Sequence, residues 1–484
     1  MPPAFTIPFF AILSTAEQER LCYGKCTMAK KDFIEEVVAL PSEAVQKTID
    51  LSEGLADGVA KQRAVKFASD YWRLLGPGLT TGAADDDPSG ITTYSQTGAQ
   101  FGFGLLWLAA FTFPLMATVQ EMCARLGIVT GRGLAANIRR YFPKPVLYLS
   151  TALLFTANTL NIGADLGAMA KATQLLNPHL NFGYLLLGFG IGGLGLQIFM
   201  AYEQYAKYLK YLALILLTYI VTAFVIPNFD WHTVLTKAIV PNLHLTRDSL
   251  LLICAILGTT ISPYLFFWQT SQEVEEEILE GQTSVGARQA STNHKQIREM
   301  RLDVWAGMLL SNLVMFFIIA VTATTLFSHG ITNIASAADA AAALRPLAGD
   351  GAYFLFALGI IGTGLLAIPV LAGSSAYAFA ESFGWKHGLY RKLKSAQAFY
   401  GIIIISTMVG FALNFLGLDP IRVLIYSAVA NGLVAPVILA LIVMLASNKA
   451  IMGKWTNHPL TTAFGWLITI IMIVAGIAAI VSLI

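Results

Sequence analysis

The stretch that decides the fold, from Gly76 to Ile91, reads GPGLTTGAADDDPSGI. Three consecutive carboxylates and a proline lie in the middle of residues 76–100, which are long enough to cross a bilayer and are the least apolar of the predicted spans. Each charge at mid-membrane costs at least about 2.5 kcal/mol, and Pro88 removes a backbone donor from the helix. A continuous lipid-facing helix is therefore excluded. The stretch is predicted to be a span that unwinds inside a protein-lined cavity.

The composition of the chain indicates an integral membrane protein. Hydrophobic residues make up 56% of the 484 residues and charged residues only 12%, about half the share of roughly 25% in soluble domains. This composition excludes a soluble globular protein and a disordered chain. A net charge of +2 points away from nucleic acid as a partner.

The apolar stretches predict an all-α integral membrane protein with eleven transmembrane helices. Residues 1–75 differ, because they carry Lys and Glu at helical spacing and contain no long apolar run. They are predicted to form a cytoplasmic amphipathic extension ahead of the transmembrane domain, residues 76–484, and not a signal peptide. The predicted spans are 76–100, 104–126, 146–176, 182–201, 207–227, 249–270, 304–327, 351–380, 396–416, 422–446 and 460–482.

The distribution of Lys and Arg predicts the orientation. With the N-terminus in the cytoplasm, 26 of the 31 Lys and Arg residues fall on the cytoplasmic side, as the positive-inside rule requires. Shifting the topology by one span would invert this ratio. The prediction is an integral protein of a bacterial inner (plasma) membrane, with its N-terminus inside and its C-terminus outside.

A second interrupted span supports an inverted repeat. Residues 257–265 read LGTTISPYL, so polar residues and a proline also divide the sixth span. The first and sixth spans hold corresponding places in two halves, 76–227 and 249–446, with 460–482 as an extra helix. Because each half contains five spans, an odd number, the second half enters the membrane from the side opposite to the first. Paired interruptions of this kind indicate a substrate site near the membrane midplane.

The interruption offers oxygen ligands. Unwound backbone frees carbonyl oxygens and Asp supplies carboxylates, a combination that suits a hard cation. Neighbouring residues diverge by about 100° on a helix, so Asp85, Asp86 and Asp87 do not all face one ion. Asp87, directly before the proline, is the predicted ligand, and Asp85 or Asp86 lines a vestibule or takes a proton. Asp165 is the other acid well inside a predicted span.

These residues match a known family. The run 76–78 followed by Asp-Pro-Ser-Gly at 87–90 resembles the first span of the Nramp divalent-metal transporters, whose signature is Asp-Pro-Gly-Asn. Residues 124–131, ARLGIVTG, are very similar to the family's stretch after the second span, and 258–264 resembles a sixth-span motif that ends in Met-Pro-His. The resemblance covers about residues 73–482. It implies a LeuT-type 5+5 inverted repeat with the first and sixth helices broken, and transport by alternating access.

The resemblance also implies a site, with departures. The family's Asp ligand is kept as Asp87, whereas its Asn ligand becomes Gly90, its Met ligand becomes Ser262 and its His becomes Tyr264. A backbone carbonyl ligand would fall at Thr259, and Asp165 lies where the family has an acid implicated in proton movement. The metal site expected on these grounds comprises Ala84, Asp87, Gly90, Thr259 and Ser262, with Asp85, Asp86, Asp165 and Tyr264 as proton or vestibule residues.

The departures bear on the substrate. Loss of the thioether at Ser262 removes the soft ligand that favours transition metals, and Gly90 opens space for the water that Mg²⁺ retains. The pattern resembles the magnesium-transporting relatives of the superfamily more than its iron and manganese importers. The prediction is a transporter of Mg²⁺ or Mn²⁺ in the lipid bilayer, not an enzyme, without a cofactor. Loss of the family's His weakens the expectation of proton coupling, and the proton, the direction and the oligomeric state stay open.

Two other functions remain open on the sequence. A symporter of a small organic solute would use the same fold, although the acidic run disfavours an anionic substrate at the exposed ends of half-helices. An intramembrane aspartyl protease would need two facing acids, for which Asp87 and Asp165 are a conceivable pair. The context Gly163-Ala164-Asp165 lacks the Gly-x-Gly-Asp pattern of that class.

Overall fold

A computed structural model describes residues 76–200, 202–226, 229–241, 246–334, 337–416 and 420–483. The predictions for the extension, residues 1–75, lie outside this range. The described residues form eighteen α-helices, joined by short 3₁₀ turns and loops, and contain no strand.

The helices of the first half fall in the order that the sequence predicts. They are α1 Pro77–Asp85, α2 Pro88–Phe101, α3 Trp107–Thr130, α4 Leu134–Tyr141, α5 Lys144–Leu176, α6 Phe182–Phe199, α7 Tyr202–Leu212, α8 Leu217–Val225 and α9 Trp231–Ile239.

The second half begins with another helix in two segments. Its helices are α10 Arg247–Thr260, α11 Pro263–Leu279, α12 Val285–Ser291, α13 His294–Thr325, α14 Ala337–Phe383, α15 Gln397–Leu413, α16 Pro420–Ala446, α17 Lys449–Met452 and α18 Pro459–Leu483.

Several of these helices, alone or joined end to end, can cross a membrane. Among the described residues, eight helices are long and apolar enough by length and composition. The segments Pro88–Leu105 and Trp107–Thr130 meet at 105°, and they add a ninth if the bent pair is one span. Gln397–Leu413 is apolar but shorter. The all-helical membrane fold is therefore confirmed, whereas the count of eleven spans stays a prediction.

Both interrupted helices rest against a neighbour without room for a side chain. A Cβ atom on Gly78 of α1 would lie 2.5 Å from the backbone nitrogen of Val304 in α13, and Gly82 faces Gly307 of the same helix. Gly258 of α10 is pressed in the same way against Ala428 of α16. Glycine permits this approach because it has no Cβ atom. These close contacts hold α1 against α13 and α10 against α16, shortly before the break that follows each of the two helices.

The start of α1 is held by a carboxylate from another helix. Asp303 of α13 accepts hydrogen bonds from the backbone N–H groups of Gly76 at 2.8 Å, Gly78 at 2.7 Å and Leu79 at 3.1 Å. The first N–H groups of a helix have no partner within the helix, and an anion there also complements the helix dipole. The side chain of Asp303 therefore fixes where α1 begins.

Candidate cation site

The first break lies at the aspartates. Helix α1 ends at Asp85, and Asp86 leaves helical geometry with φ −86° and ψ 52°. Asp87 is extended and precedes α2, where its Oδ1 accepts from the N–H of Gly90 at 2.7 Å and the hydroxyl of Ser89 at 2.6 Å. Asp87 is thus the N-cap of α2. The Oδ1 atom of Asp87 is used for capping, and its Oδ2 atom remains available to other groups in the buried interior.

The second break lies at Ile261 and Ser262. Helix α10 ends at Thr260, Ile261 has φ −112° and ψ 57°, and α11 begins at Pro263. The Ser262 hydroxyl does not cap α11. It donates instead to the carbonyls of Gly258 at 2.7 Å and Thr259 at 2.6 Å. The predicted carbonyl ligand at Thr259 therefore already accepts a hydrogen bond.

A direct hydrogen bond joins the two breaks. The Tyr264 hydroxyl, in the first turn of α11, donates to the carbonyl of Ala84 at 2.7 Å. The Thr259 hydroxyl lies 3.4 Å from the hydroxyl of Tyr94 in α2. A Cβ atom on Gly90 would lie 3.3 Å from the Asp85 carbonyl. Residues of both predicted motifs are thus brought together in one buried region.

The other aspartates are buried around this junction. Asp85 Oδ2 accepts from the hydroxyl of Ser311 at 2.8 Å, whereas neither carboxylate oxygen of Asp86 has a partner among the described residues. The Asp165 carboxylate lies close enough to Asp87 for their negative charges to repel each other. The backbone N–H of Ser89 is nearby, but neither carboxylate oxygen of Asp165 accepts a hydrogen bond from a described residue. Asp85 and Asp86 are fully buried, so neither lines an open vestibule in this conformation.

The four aspartates are not paired with cationic side chains. Within the described residues four ion pairs form, and none of them includes Asp85, Asp86, Asp87 or Asp165. Burying an unpaired carboxylate is expensive, so this region favours a bound cation or proton. The described part of the chain holds no group of three or more His, Cys, Asp or Glu side chains arranged around a metal ion. A cation there would need backbone, hydroxyl or water oxygens as well.

The structure adds residues that the sequence analysis missed. Asn161 Nδ2 lies 3.4 Å from Asp87 Oδ2, and Asn161 precedes Asp165 by four residues on α5. That spacing places both on one helix face, so the signal was present in the sequence. Ser311, Tyr94 and Asp303 had no such signal because their roles depend on how distant helices pack.

Comparison with known proteins gives the family. The model of the Nramp family, described as natural resistance-associated macrophage protein-like, matches residues 78–482. A divalent metal cation transporter MntH of Aeromonas hydrophila is 28% identical over 412 residues, which are 83% of this chain and 93% of the relative. An MntH of Mycobacterium leprae is 25% identical over 425 residues, covering 87% and 94%. These relatives are named as transporters and not as enzymes, in agreement with the sequence-based expectation.

Solved structures show the same fold. The Eremococcus coleocola manganese transporter, in complex with an aromatic bis-isothiourea compound, matches with a TM-score of 0.65 and 20% identity over 86% of this chain and 88% of that one. Mhp1, a nucleobase-cation-symport-1 family transporter, matches in a closed conformation with a TM-score of 0.54 and 13% identity over 84% and 91%. The helical architecture is therefore shared with transporters of two families. With the family model matching most of its length, the chain is an integral membrane protein that belongs to the Nramp family.

Proposed function

We propose that this protein transports divalent metal cations across the membrane by alternating access. The observation that supports the proposal is the buried junction of the two breaks, where four aspartates form no ion pair with any cationic side chain that the structure describes. A divalent ion would neutralise two of these charges at once. Relatives in the family are named divalent metal cation transporters.

Asp87 is the proposed carboxylate ligand. Its Oδ1 caps α2, whereas Oδ2 has only a long contact of 3.4 Å to Asn161. The carbonyls of Ala84 and Thr259 each accept a hydrogen bond and keep a second lone pair for the ion. Gly90 and Ser262 complete the proposed site by leaving room for ion-bound water. Asp85, Asp86, Asp165 and Tyr264 surround the proposed site without binding the ion directly.

Oxygen donors restrict the substrate to hard ions. Mg²⁺ and Mn²⁺ both accept six oxygen ligands in an octahedron. Replacement of the family's thioether by the Ser262 hydroxyl favours Mg²⁺, whereas a fold neighbour is named a manganese transporter. We propose Mg²⁺ or Mn²⁺ as the substrate, and the choice between them is left to measurement.

The proposed topology has eleven spans. Two halves of five spans, 76–227 and 249–446, form inverted repeats of the LeuT type with their first helices broken, and 460–482 is the eleventh. The distribution of Lys and Arg supports a cytoplasmic N-terminus and an external C-terminus in a bacterial plasma membrane. Residues 1–75 are proposed as a separate cytoplasmic extension.

Proton coupling is proposed to be weak or absent. A phenol at Tyr264 replaces the family's His and cannot exchange protons near neutrality, because its ordinary pKa is about 10. A membrane potential of 100 mV supplies about 4.6 kcal/mol to a divalent cation, which supports roughly a 2,000-fold gradient. An importer of abundant Mg²⁺ therefore needs no proton, whereas an importer of scarce Mn²⁺ would gain from one.

Uptake into proteoliposomes tests the proposal. The purified full chain is reconstituted, and entry of Mg²⁺, Mn²⁺ and Ca²⁺ is followed at a fixed potential with a pH probe inside the vesicles. We expect saturable entry of Mg²⁺ or Mn²⁺ without matching acidification. Absence of entry for all three ions, or cleavage of a test peptide or uptake of an organic solute instead, would contradict the proposal.

A further inference from the structure

A basic cavity is lined by none of the residues of the two breaks. It has a volume of about 480 Å³ and forms where the end of α3 and helix α4 face the connection between α16 and α18. Arg132, Arg140 and Lys454 line it, and none of the described residues that line it is acidic. The cavity thus gathers three positive charges from two separate connections of the chain.

These positive charges are not neutralised. The side chains of Arg132, Arg140 and Lys454 form no ion pair with any residue that the structure describes. Arg140 and Lys454 lie over the rings of Tyr141 and Trp455, at 5.7 Å and 5.0 Å from the ring centroids. Such contacts leave the charge in place, because an aromatic ring carries none.

Helix α12 is anchored to one wall of the cavity. Burial lowers the pKa of Arg288, whereas the charge of Glu277 opposes this shift and that of Arg132 adds to it. Arg288 donates from Nε and Nη2 to the Gly131 carbonyl at 3.2 Å and 3.0 Å, and Gln289 donates to the Thr130 carbonyl at 3.0 Å. The wall of the cavity is therefore held in place before any ligand arrives, which lowers the entropic cost of binding.

The cavity lies at the ends of three long helices. Helix α3 ends beside it at Thr130, α16 ends at Ala446 and α18 begins at Pro459, and lipid headgroups lie at the ends of helices that span a membrane. Tyr141 is 44% exposed at its edge, and Tyr and Trp are enriched at membrane interfaces. The Lys and Arg distribution places this edge on the predicted cytoplasmic side.

A polar atom in the wall lacks a donor. Asn137 Nδ2 donates to the Thr130 hydroxyl at 2.9 Å and to the carbonyls of Arg132 and Gly133 at 3.0 Å and 2.9 Å. Its buried Oδ1 has no partner among the described residues. This atom is closed to the cavity, so the demand on a ligand comes from the three cations alone, and the ligand must carry an anion.

We propose that this cavity binds the headgroup of an anionic phospholipid, with its phosphate at Arg132, Arg140 and Lys454. Phosphatidylglycerol is one lipid with this chemistry. Basic pockets on the cytoplasmic side of membrane helices are suited to such headgroups. The inference depends on the proposed orientation in the membrane but not on the proposed cation site. Lipid binding can therefore fail without contradicting cation transport, and cation transport can fail without contradicting lipid binding. A free phosphate shares the anionic chemistry and is distinguished by the test.

Lipid binding to the full chain tests the inference. The protein in neutral detergent is titrated with short-chain phosphatidylglycerol or phosphatidylcholine, and bound lipid is counted by native mass spectrometry. We expect phosphatidylglycerol to bind at least about tenfold more tightly, since each nearby cation contributes about fivefold. The double variant Arg140→Gln/Lys454→Gln should bind it about 30-fold more weakly.

The control removes two cations elsewhere. Lys392 and Lys394 are exposed and lie in the connection before α15, on the same predicted side, and Lys392→Gln/Lys394→Gln should bind like the wild type. Because Arg140 and Lys454 are also exposed, both double variants should keep the unfolding midpoint of the wild type. Equal binding of the two lipids, or unchanged binding by Arg140→Gln/Lys454→Gln, would overturn the inference. Displacement of phosphatidylglycerol by an equal concentration of inorganic phosphate would overturn the lipid as the ligand.

Discussion

The two helix breaks differ in the chemistry that they carry. At the first break, between α1 and α2, three aspartates interrupt the helix and the Asp87 carboxylate caps the next segment. At the second break, between α10 and α11, the Ser262 hydroxyl donates to the carbonyls of Gly258 and Thr259 at the end of α10. The first break is charged and the second is neutral. We infer that the first supplies affinity for a cation, whereas the second sets which cation fits.

The largest effect is expected at the first break. Asp87→Asn keeps an oxygen that can cap α2 and removes only the charge, so the protein should fold as before. Loss of a metal-ligand charge should reduce uptake by at least about 100-fold, more than the loss of an outer-shell partner. Asp87→Ala should abolish transport as well.

Isotope uptake in proteoliposomes measures this effect. Asp350→Asn is the matched control, because Asp350 is an exposed acid that pairs with Arg345 at 2.6 Å and lies far from both breaks along the chain. Wild-type uptake by Asp87→Asn would remove the assignment of affinity to the first break.

A smaller effect is expected at the second break. Ser262→Met adds a soft thioether and displaces water, so the preference for Mn²⁺ over Mg²⁺ should rise by about tenfold. Ser262→Ala also removes the hydroxyl but adds no ligand, and it should leave the preference unchanged. Competition of Mg²⁺ against Mn²⁺ uptake measures the ratio. The same ratio in wild type and Ser262→Met would show that the second break does not select the ion.

The hydrogen bond that joins the breaks provides a third test. Tyr264→Phe removes the hydroxyl that donates to one lone pair of the Ala84 carbonyl, so the cation no longer shares that carbonyl with the phenol. Because such a bond contributes about 1 kcal/mol net, metal affinity should rise about fivefold, and the metal-free protein should unfold at a lower temperature. Calorimetric titration measures the affinity, with Tyr94→Phe as the control. Weaker binding by Tyr264→Phe would mean that the phenol supports the ion rather than competing with it.

The smallest effect is expected at Asp165. This residue lies on α5, outside both breaks, and we expect Asp165→Asn to retain metal uptake at fixed potential. Internal pH should stay constant in both proteins. A proton signal that follows wild-type uptake and vanishes in Asp165→Asn would overturn weak coupling and favour Mn²⁺ as the substrate.

The sequence predicts the breaks better than it predicts their surroundings. Pro88 and Pro263, with aspartates or hydroxyls before them, mark both interruptions locally, because proline and unpaired polar groups disrupt a membrane helix wherever it packs. The hydrogen bond from Tyr264 to Ala84 joins residues 180 positions apart. Such a contact depends on tertiary packing and leaves no periodic signal in the chain.

The same distinction holds for Asp303. From the sequence it is one acid near the start of a predicted span, and nothing shows that it caps α1 more than 200 residues earlier. Ser311 likewise reaches Asp85 only through the packing of α13 against α1. The family motifs predict the site, whereas the residues that surround it in the fold require the structure.

The location of bound metal tests the central claim most directly. Crystals of the full chain soaked with Mn²⁺ would be measured at the manganese absorption edge, where only the metal gives a strong anomalous signal. The account predicts one peak between the two breaks, at about 2.0–2.2 Å from the Asp87 carboxylate and within ligand distance of the Thr259 carbonyl. A peak elsewhere, with none beside Asp87 at saturating Mn²⁺, would contradict it.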